Sequence, residues 1–167
     1  GEETVSGSES TEDATAAARI PVGQDDLAAG YIFDLDGTIY LGSNLLPGAL
    51  HTVQTLRAMG HKVLFLSNNP TRTIDEYVRK LDGLGLAVEP SEILTTVETL
   101  VRWLLQHHPE ATVYPIAESP VQDALATAGI SISDDPARID IVIASYDRAF
   151  AYRKLQIAFD AIVVQRR

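Results

Sequence analysis

The chain has 167 residues, of which 46% are hydrophobic and 22% charged, a composition typical of a globular protein with a core of ordinary size. Its formal net charge of −10 argues against binding to nucleic acid or to an anionic membrane surface. The absence of cysteine excludes disulfides and thiolate metal sites and fits a cytoplasmic location. No apolar run approaches the ~20 residues that a membrane-spanning helix requires.

Most of the excess acid lies before Gly30, where seven acidic residues are accompanied by Arg19 alone. Residues 1–29 are rich in Ser, Thr, Glu and Ala and carry few large apolar side chains, so we predict a disordered acidic tail. From Gly30 onward, strand and helix patterns alternate along the chain. This alternation predicts an α/β fold with parallel strands.

The first part of this α/β region has clear boundary signals. The pattern predicts a buried strand over residues 31–33, a helix opened at residues 47–48 and ended by Gly60, and a second buried strand over residues 63–66. The capping box at residues 73–76 predicts a helix that runs to about Leu84 and is stopped by Gly85.

A second α/β run follows. An apolar helical stripe is formed by Val97, Leu100, Val101, Leu104 and Leu105. We predict strands over residues 112–116 and 139–144, with Pro115 pushing the first toward a sheet edge. Ser119 is the predicted N-cap of a helix with Pro120 in its first turn. The last predicted helix, over residues 152–162, places on one face Leu155, Phe159 and Ile162.

The string Asp34-Leu35-Asp36-Gly37-Thr38 directly follows the first predicted strand. Ligands of open α/β sheets bind at the carboxyl ends of the strands, and the glycine lets the chain turn sharply after the two acids. Ser67 follows the next predicted strand, which places it beside Asp34. The alternative interpretation, an ordinary Asp-Gly turn, does not account for the whole string.

This string resembles the first motif of the haloacid dehalogenase-like hydrolases. The stretch from Tyr31 to about Ile162 resembles their branch of nitrophenyl phosphatases and NagD-type nucleotide phosphatases. The residues that carry the resemblance are 34–38, 45–49, 66–69 and Asp147-Arg148.

The resemblance implies a division of the chain into two units. Residues 30–96 would form the N-terminal part of a Rossmann-like core, and residues 97–167 an α/β cap of the C2 type, incomplete at its C-terminal end. In that family a lysine and an acidic pair follow the cap, and only five residues follow Ile162 here. We therefore expect a chain cut within the cap, with weak or no activity by itself.

The acid pair has the chemistry of phosphate monoester transfer. Asp34 is the candidate nucleophile, which would form an aspartyl-phosphate, and Asp36 the candidate general acid and base. Since a halide leaving group needs no proton, Asp36 favours phosphate esters over haloacids as substrates. A Mg²⁺ ion would be held by Asp34 and by the backbone carbonyl of Asp36.

The candidate phosphate-binding residues lie in the two loops after these strands: Gly37, Thr38, Ser67, Asn68 and Asn69. The sequence leaves open whether Asn69 fixes its loop or reaches the substrate. Weaker candidates for facing the substrate are Arg72, Asp147, Arg148 and Tyr152. The four histidines have no metal-ligand spacing.

These observations predict a Mg²⁺-dependent phosphatase acting on a small phosphorylated metabolite. A homo-oligomer formed through the cap is one assembly that the sequence leaves open. Two rival hypotheses remain. The chain could be a non-catalytic phosphoacceptor, or a binding module that has lost hydrolase activity.

Overall fold

The computed structural model describes residues 30–164. The predicted acidic tail, residues 1–29, lies outside the described residues. The first half contains β1 (Gly30–Asp34), β2 (Tyr40–Leu41), β3 (Asn44–Leu45), α1 (Ala49–Ala58), β4 (Lys62–Ser67), α2 (Ile74–Gly83) and β5 (Ile93–Thr95). The second half contains α3 (Thr96–His107), β6 (Val113–Ile116), α4 (Ser119–Thr127), β7 (Ile141–Ala144), α5 (Tyr152–Phe159) and a π-helical turn (Asp160–Val164).

Strands β1, β4 and β5 form a parallel sheet in that order, with α1 and α2 as the crossover helices. Asp34 pairs with Leu66, and Ser67 pairs with Thr95. The strands therefore end at one edge, with Ser67 a single residue beyond the partner of Asp34. The predicted α/β class is confirmed, and the predicted adjacency of Asp34 and Ser67 follows from the register.

The prediction that β1 and β4 are buried strands is correct for one face of the sheet only. Val63 and Phe65 are buried, whereas Ile32 is 68% exposed and Leu66 is 40% exposed. Right-handed crossovers in a sheet whose strands follow one direction place both helices on the same face. Within the described residues, no helix covers the opposite face.

The capping box predicted at the start of α2 is present. The Thr73 hydroxyl accepts a 3.3 Å hydrogen bond from the Glu76 N–H, and the Glu76 carboxylate accepts a 2.7 Å bond from the Thr73 N–H. Two N–H groups that the helix leaves unpaired are thereby satisfied. The capping box fixes the direction in which the chain enters α2, the helix that carries Tyr77 and Lys80.

Buried apolar residues divide at the start of α3. Those up to Ile93 form one cluster, between the first sheet and helices α1 and α2. Those from Val97 onward form two other clusters, around the two-stranded parallel sheet of β6 and β7. Pro115 is buried in β6 and pairs with Ile143 of β7. Among the described residues no strand pairs with Pro115 on its other side, so its missing N–H interrupts no second ladder.

Three details of the second half differ from the sequence prediction. Helix α4 has Glu118, not Ser119, as its N-cap, and the Glu118 carboxylate binds Arg148 instead of the helix. Leu105, predicted as part of the α3 stripe, is 46% exposed. The predicted apolar face of the last helix also points outward, as described next.

In α5 the buried residues are Ala158 and, just beyond the helix, Ala161, which are 6% and 1% exposed. Leu155, Phe159 and Ile162 are 50%, 51% and 53% exposed. Both sets have helical spacing, and the smaller side chains are the ones that contact the sheet. None of the described helices is long and apolar enough to cross a membrane.

Candidate active site

The acid pair is presented by a tight loop after β1. Leu35, between the two acids, is completely buried, and its carbonyl accepts a 2.9 Å hydrogen bond from the Ile39 N–H. Gly37 adopts a φ of 84°, which favours glycine, and its N–H donates to the Tyr40 carbonyl at 2.8 Å. The buried leucine anchors the loop while Asp34 and Asp36 remain exposed.

Tyr40 connects this loop to α2. Its side chain is fully buried, and its hydroxyl donates a 3.1 Å hydrogen bond to Asp36 Oδ2. Burial, followed by the negative charge of Asp36, raises the pKa of the Tyr40 phenol, which therefore stays protonated and donates. The ammonium of Lys80 lies 3.6 Å from the centre of the Tyr40 ring.

Ser67 is the last residue of β4 and is 2% exposed. Its hydroxyl lies 2.6 Å from the hydroxyl of Tyr77, a fully buried residue of α2. The Asn69 N–H donates to Ser67 Oγ at 3.2 Å. The predicted phosphate-binding serine is thus held by two groups of the protein.

The loop after Ser67 is fixed by Asn69. Its side-chain carbonyl accepts a 3.0 Å bond from the Thr71 N–H and a 2.7 Å bond from the Thr71 hydroxyl. This is an Asx-type turn, and it answers part of the question that the sequence left open. The carbonyl end of Asn69 holds the loop, while the neighbouring Asn68 is exposed.

The sequence did not indicate Tyr40, Tyr77 or Lys80 as parts of the site. Tyr77 and Lys80 are three residues apart and so lie on one face of α2, the face directed at the acid loop. Desolvation lowers the pKa of Lys80, Arg72 lowers it further, and the charge of Asp36 opposes both. Lys80 on α2 therefore interacts electrostatically with Asp36, while Arg72, in the turn before the helix, acts on Lys80.

A cleft of about 460 Å³ separates residues 68–71 from Tyr146 and Arg148. The Arg148 guanidinium forms two 2.6 Å hydrogen bonds with the Glu118 carboxylate, which fixes its direction. Of the weaker candidates for facing the substrate, the structure therefore brings Arg148 to the loop that follows Ser67.

The other three weaker candidates lie elsewhere. Asp147 has a side chain only 3% exposed and pairs with Lys154 at 2.5 Å. Tyr152 is 76% exposed on α5. Arg72 lines a different cleft, one formed with α3 and α4.

The donor set at the acid loop fits a hard divalent cation. Asp34 supplies carboxylate oxygens, and the Asp36 carbonyl accepts no backbone hydrogen bond from residues 30–164. Mg²⁺ binds through one or two carboxylates and completes its shell with water and phosphate oxygens. Within the same residues, no cluster of three or more Asp, Glu or His side chains forms a larger metal site.

Comparison with known proteins places this site in a family. Residues 31–131 match the model of the haloacid dehalogenase-like hydrolases. An acid sugar phosphatase from Staphylococcus haemolyticus is 32% identical over 133 residues, which are 80% of this chain and 50% of that protein. Another from Staphylococcus epidermidis is 33% identical over 132 residues, 79% of this chain and 51% of that protein.

Solved structures show the same relationship. A p-nitrophenyl phosphatase from Archaeoglobus fulgidus superposes with a TM-score of 0.74 at 28% identity, over 81% of this chain and 52% of that one. NagD from E. coli superposes with a TM-score of 0.70 at 22% identity, over 78% and 51%, a likeness of fold alone.

The chain belongs to the haloacid dehalogenase-like hydrolases, and the predicted relation to their NagD and nitrophenyl phosphatase branch is confirmed. It spans about half the length of the curated relatives that it matches.

Proposed function

We propose that the full-length protein is a Mg²⁺-dependent phosphatase that hydrolyses a small phosphate monoester through an aspartyl-phosphate on Asp34. The observation that carries the proposal is the meeting of Asp34, Asp36 and Ser67 at the ends of two paired parallel strands. Membership of a hydrolase family and likeness to proteins named phosphatases support it.

In the first step a carboxylate oxygen of Asp34 attacks phosphorus, and the bond from phosphorus to the ester oxygen breaks. Asp36, in its protonated form, gives its proton to the departing oxygen. In the second step Asp36 takes a proton from water as that water attacks the aspartyl-phosphate, which releases phosphate and restores Asp34. A bound Mg²⁺ would neutralise part of the charge on the transferring group.

The neighbouring residues suit these roles. Tyr40 holds one oxygen of Asp36 at 3.1 Å, which limits rotation of the carboxylate and leaves its other oxygen for proton transfer. Ser67, with the N–H of Asn68 and the turn at Gly37 and Thr38, would bind the phosphate oxygens. Backbone N–H groups in such turns are good ligands for anions.

We assign residues 30–96 to the core and residues 97–167 to a cap that selects the leaving group. The division of the buried clusters at Val97 supports this assignment. The cleft between residues 68–71 and the pair Tyr146 and Arg148 is our candidate for the leaving-group site. An aromatic ring and a guanidinium there would suit a polar organic group attached to the phosphate.

The same proposal extends to assembly and location. Self-association through the cap would cover the apolar face of α5, where Leu155 and Phe159 are about half exposed at 50% and 51%. Light scattering of the purified protein measures its mass in solution and tests this. A monomeric mass that Leu155→Glu leaves unchanged contradicts it. A cytoplasmic location remains a prediction.

The test is release of p-nitrophenol from p-nitrophenyl phosphate by the full-length protein, with Mg²⁺ and with the metal chelated. We expect turnover that depends on Mg²⁺ and is lost in Asp34→Asn. Hydrolysis that persists in Asp34→Asn contradicts the nucleophile assignment. A stable phosphoprotein without turnover would indicate the rival phosphoacceptor, and neither product nor phosphoprotein would indicate the binding module.

A further inference from the structure

The hydrogen bonds around Ser67 Oγ limit what this hydroxyl can still do for a ligand. A serine hydroxyl has one proton to donate and two lone pairs that accept. One lone pair is occupied by the Asn69 N–H at 3.2 Å. The contact with the Tyr77 hydroxyl, at 2.6 Å, uses either the second lone pair or the proton.

Two arrangements of the protons satisfy this geometry. In the first, Ser67 donates to Tyr77, and Tyr77 donates onward to the Asn69 carbonyl at 3.4 Å. The last of these contacts is longer than an ordinary O–H···O bond. In this arrangement Ser67 keeps only a lone pair, which would meet the lone pairs of a phosphate oxygen and repel them.

In the second arrangement Tyr77 donates to Ser67. Both lone pairs of Ser67 Oγ are then filled, by Tyr77 and by the Asn69 N–H. The proton of Ser67 is the only hydrogen-bonding capacity left, so the hydroxyl is a donor and nothing else. A phosphate oxygen, which only accepts, selects this arrangement.

We propose that Tyr77 is a positioning residue that makes Ser67 a dedicated hydrogen-bond donor to a phosphate oxygen, by transferring its own hydrogen bond from the Asn69 carbonyl to Ser67 Oγ. The inference rests on the proposed phosphatase function and adds to it a residue that does not touch the substrate.

Tyr77 is well placed for this role. Its side chain is fully buried, so water does not compete for its hydroxyl. Burial raises the pKa of the Tyr77 phenol, and the hydrogen bond to Ser67 only partly offsets this, so the proton that Tyr77 must donate is retained. The capping box of Thr73 and Glu76, one turn earlier, fixes the helix that carries it.

The experiment uses Tyr77→Phe in the full-length protein, which keeps the buried ring and removes the hydroxyl. We expect the KM for p-nitrophenyl phosphate and the inhibition constant of inorganic phosphate to rise together by roughly 3- to 10-fold, the loss expected for one net hydrogen bond. The change in kcat should be smaller. In a Ser67→Ala background, Tyr77→Phe should change neither constant by more than about twofold, since the partner is already gone.

Two further variants isolate the hydroxyl. Tyr114→Phe removes another buried phenol, in the second half of the chain, and should leave both constants unchanged. Replacing Tyr77 by 3-fluorotyrosine keeps a hydroxyl that donates more strongly, and should leave the phosphate constant equal or lower. This variant also provides a result if Tyr77→Phe does not fold.

The outcomes separate the two proposals. If the parent protein shows no Mg²⁺-dependent hydrolysis, the proposed function fails, and this inference fails with it. If the parent is active and Tyr77→Phe keeps both constants within about twofold, only the inference is overturned. An equal effect of Tyr77→Phe with and without the Ser67 hydroxyl overturns it as well, because Tyr77 would then act by another route.

Discussion

The Tyr40 hydroxyl donates a 3.1 Å hydrogen bond to Asp36 Oδ2, and the ring that carries it faces the Lys80 ammonium at 3.6 Å. A cation over the ring draws electron density from the phenol and strengthens its O–H as a donor. The candidate acid and base is thus linked through one aromatic ring to a positive charge on α2. This link connects α2, whose Tyr77 contacts Ser67, to the loop that carries Asp36.

Removing either member of this link should slow turnover without unfolding the protein. We expect Tyr40→Phe to lower kcat by roughly 10-fold, because the Asp36 carboxylate loses a hydrogen bond that fixes it. Lys80→Met, which keeps the length of the side chain, should cost less, roughly 3-fold. Steady-state kinetics with p-nitrophenyl phosphate measure both, with Lys62→Met, an exposed lysine at the start of β4, as the control. A Lys80→Met protein as fast as its parent would show that the cation does not act on Asp36.

Tyr40 should also make the protein sensitive to alkali. Its pKa in the folded state is raised above the usual 10.0, mainly by burial. Above pH ~10 the unfolded chain loses this proton while the folded chain keeps it, so the free energy of unfolding falls as pH rises, by up to about 1.4 kcal/mol per pH unit for one such group. Below that pH the group gives no slope.

Urea denaturation between pH ~8 and ~11 measures the effect. Tyr40→Phe should show a shallower alkaline slope than its parent, though Tyr77 and Tyr114, whose pKa values are also raised, keep part of it. Tyr152→Phe, at a side chain 76% exposed, should show the parental slope. Identical slopes for Tyr40→Phe and its parent would contradict the prediction.

Two glycines should respond to alanine in opposite directions. Gly37 has a φ of 84°, and a Cβ there would meet no atom within 4 Å, so the cost of Gly37→Ala is backbone strain alone, about 1–2 kcal/mol. Gly83 ends α2 and also has open space around it, so Gly83→Ala should stabilise by about 0.5–1 kcal/mol. Chemical denaturation compares them, and equal shifts in one direction would refute the backbone explanation.

The sequence predicted those parts of the site that depend on local pattern. An apolar run that ends in Asp34, and another that ends in Ser67, were sufficient to place both residues at one sheet edge. The capping box at Thr73 likewise determined where α2 begins. Each of these signals lies within a few residues of the feature that it predicts.

The remaining parts depend on how elements pack, which no local pattern contains. Tyr77 and Lys80 were in a helix that the sequence predicted, but their contacts depend on which face of α2 meets the acid loop. In α5 the larger side chains formed the stronger apolar stripe, yet the alanines Ala158 and Ala161 face the sheet. Size and hydrophobicity ranked the two faces in the wrong order because close approach to a sheet favours small residues.

Replacing Asp34 and replacing Asp36 should leave different residual activities. Asp34→Asn should abolish turnover, because an amide does not attack phosphorus. Asp36→Asn should remove most activity, since no group then protonates the leaving oxygen. Both side chains are exposed, so the melting temperature should stay close to that of the parent.

Asp82→Asn, an exposed acid near the end of α2, is the matched control and should keep full activity. An aryl phosphate with a weakly basic leaving oxygen should partly restore the first step of Asp36→Asn, which stopped-flow measurement of product release would detect. Near-normal steady-state rates in Asp34→Asn would show that another residue is the nucleophile.

A polypeptide limited to residues 1–167 should be a poor phosphatase. These residues span about half the length of the phosphatases that they match. The family resemblance implies that a lysine and an acidic pair lie beyond the corresponding stretch. Without the lysine, Asp34 and the phosphate repel each other with one fewer cation between them. Without the acidic pair, Mg²⁺ has few protein ligands, so its affinity should fall toward that of a surface carboxylate site.

Among the described residues, the sheet also has an open face and open edges. Ile32 and Leu66 are 68% and 40% exposed on the face away from the helices, and β1 pairs with β4 alone among the described strands. We expect self-association at high concentration through such a surface. Activity must therefore be measured on a monodisperse sample, checked by light scattering.

Loss of one preorganised charged group typically costs roughly 10²–10³ in rate, and two such groups would be missing together. We therefore expect Mg²⁺-dependent hydrolysis of p-nitrophenyl phosphate by residues 1–167 to lie far below the ordinary enzyme range of ~1–10³ per second. The Asp34→Asn variant of the same polypeptide sets the background. A turnover within the ordinary range that disappears in this variant would mean that residues 1–167, or a second copy of them, already supply the charges needed, and Arg72 and Lys80 would be the first side chains to replace.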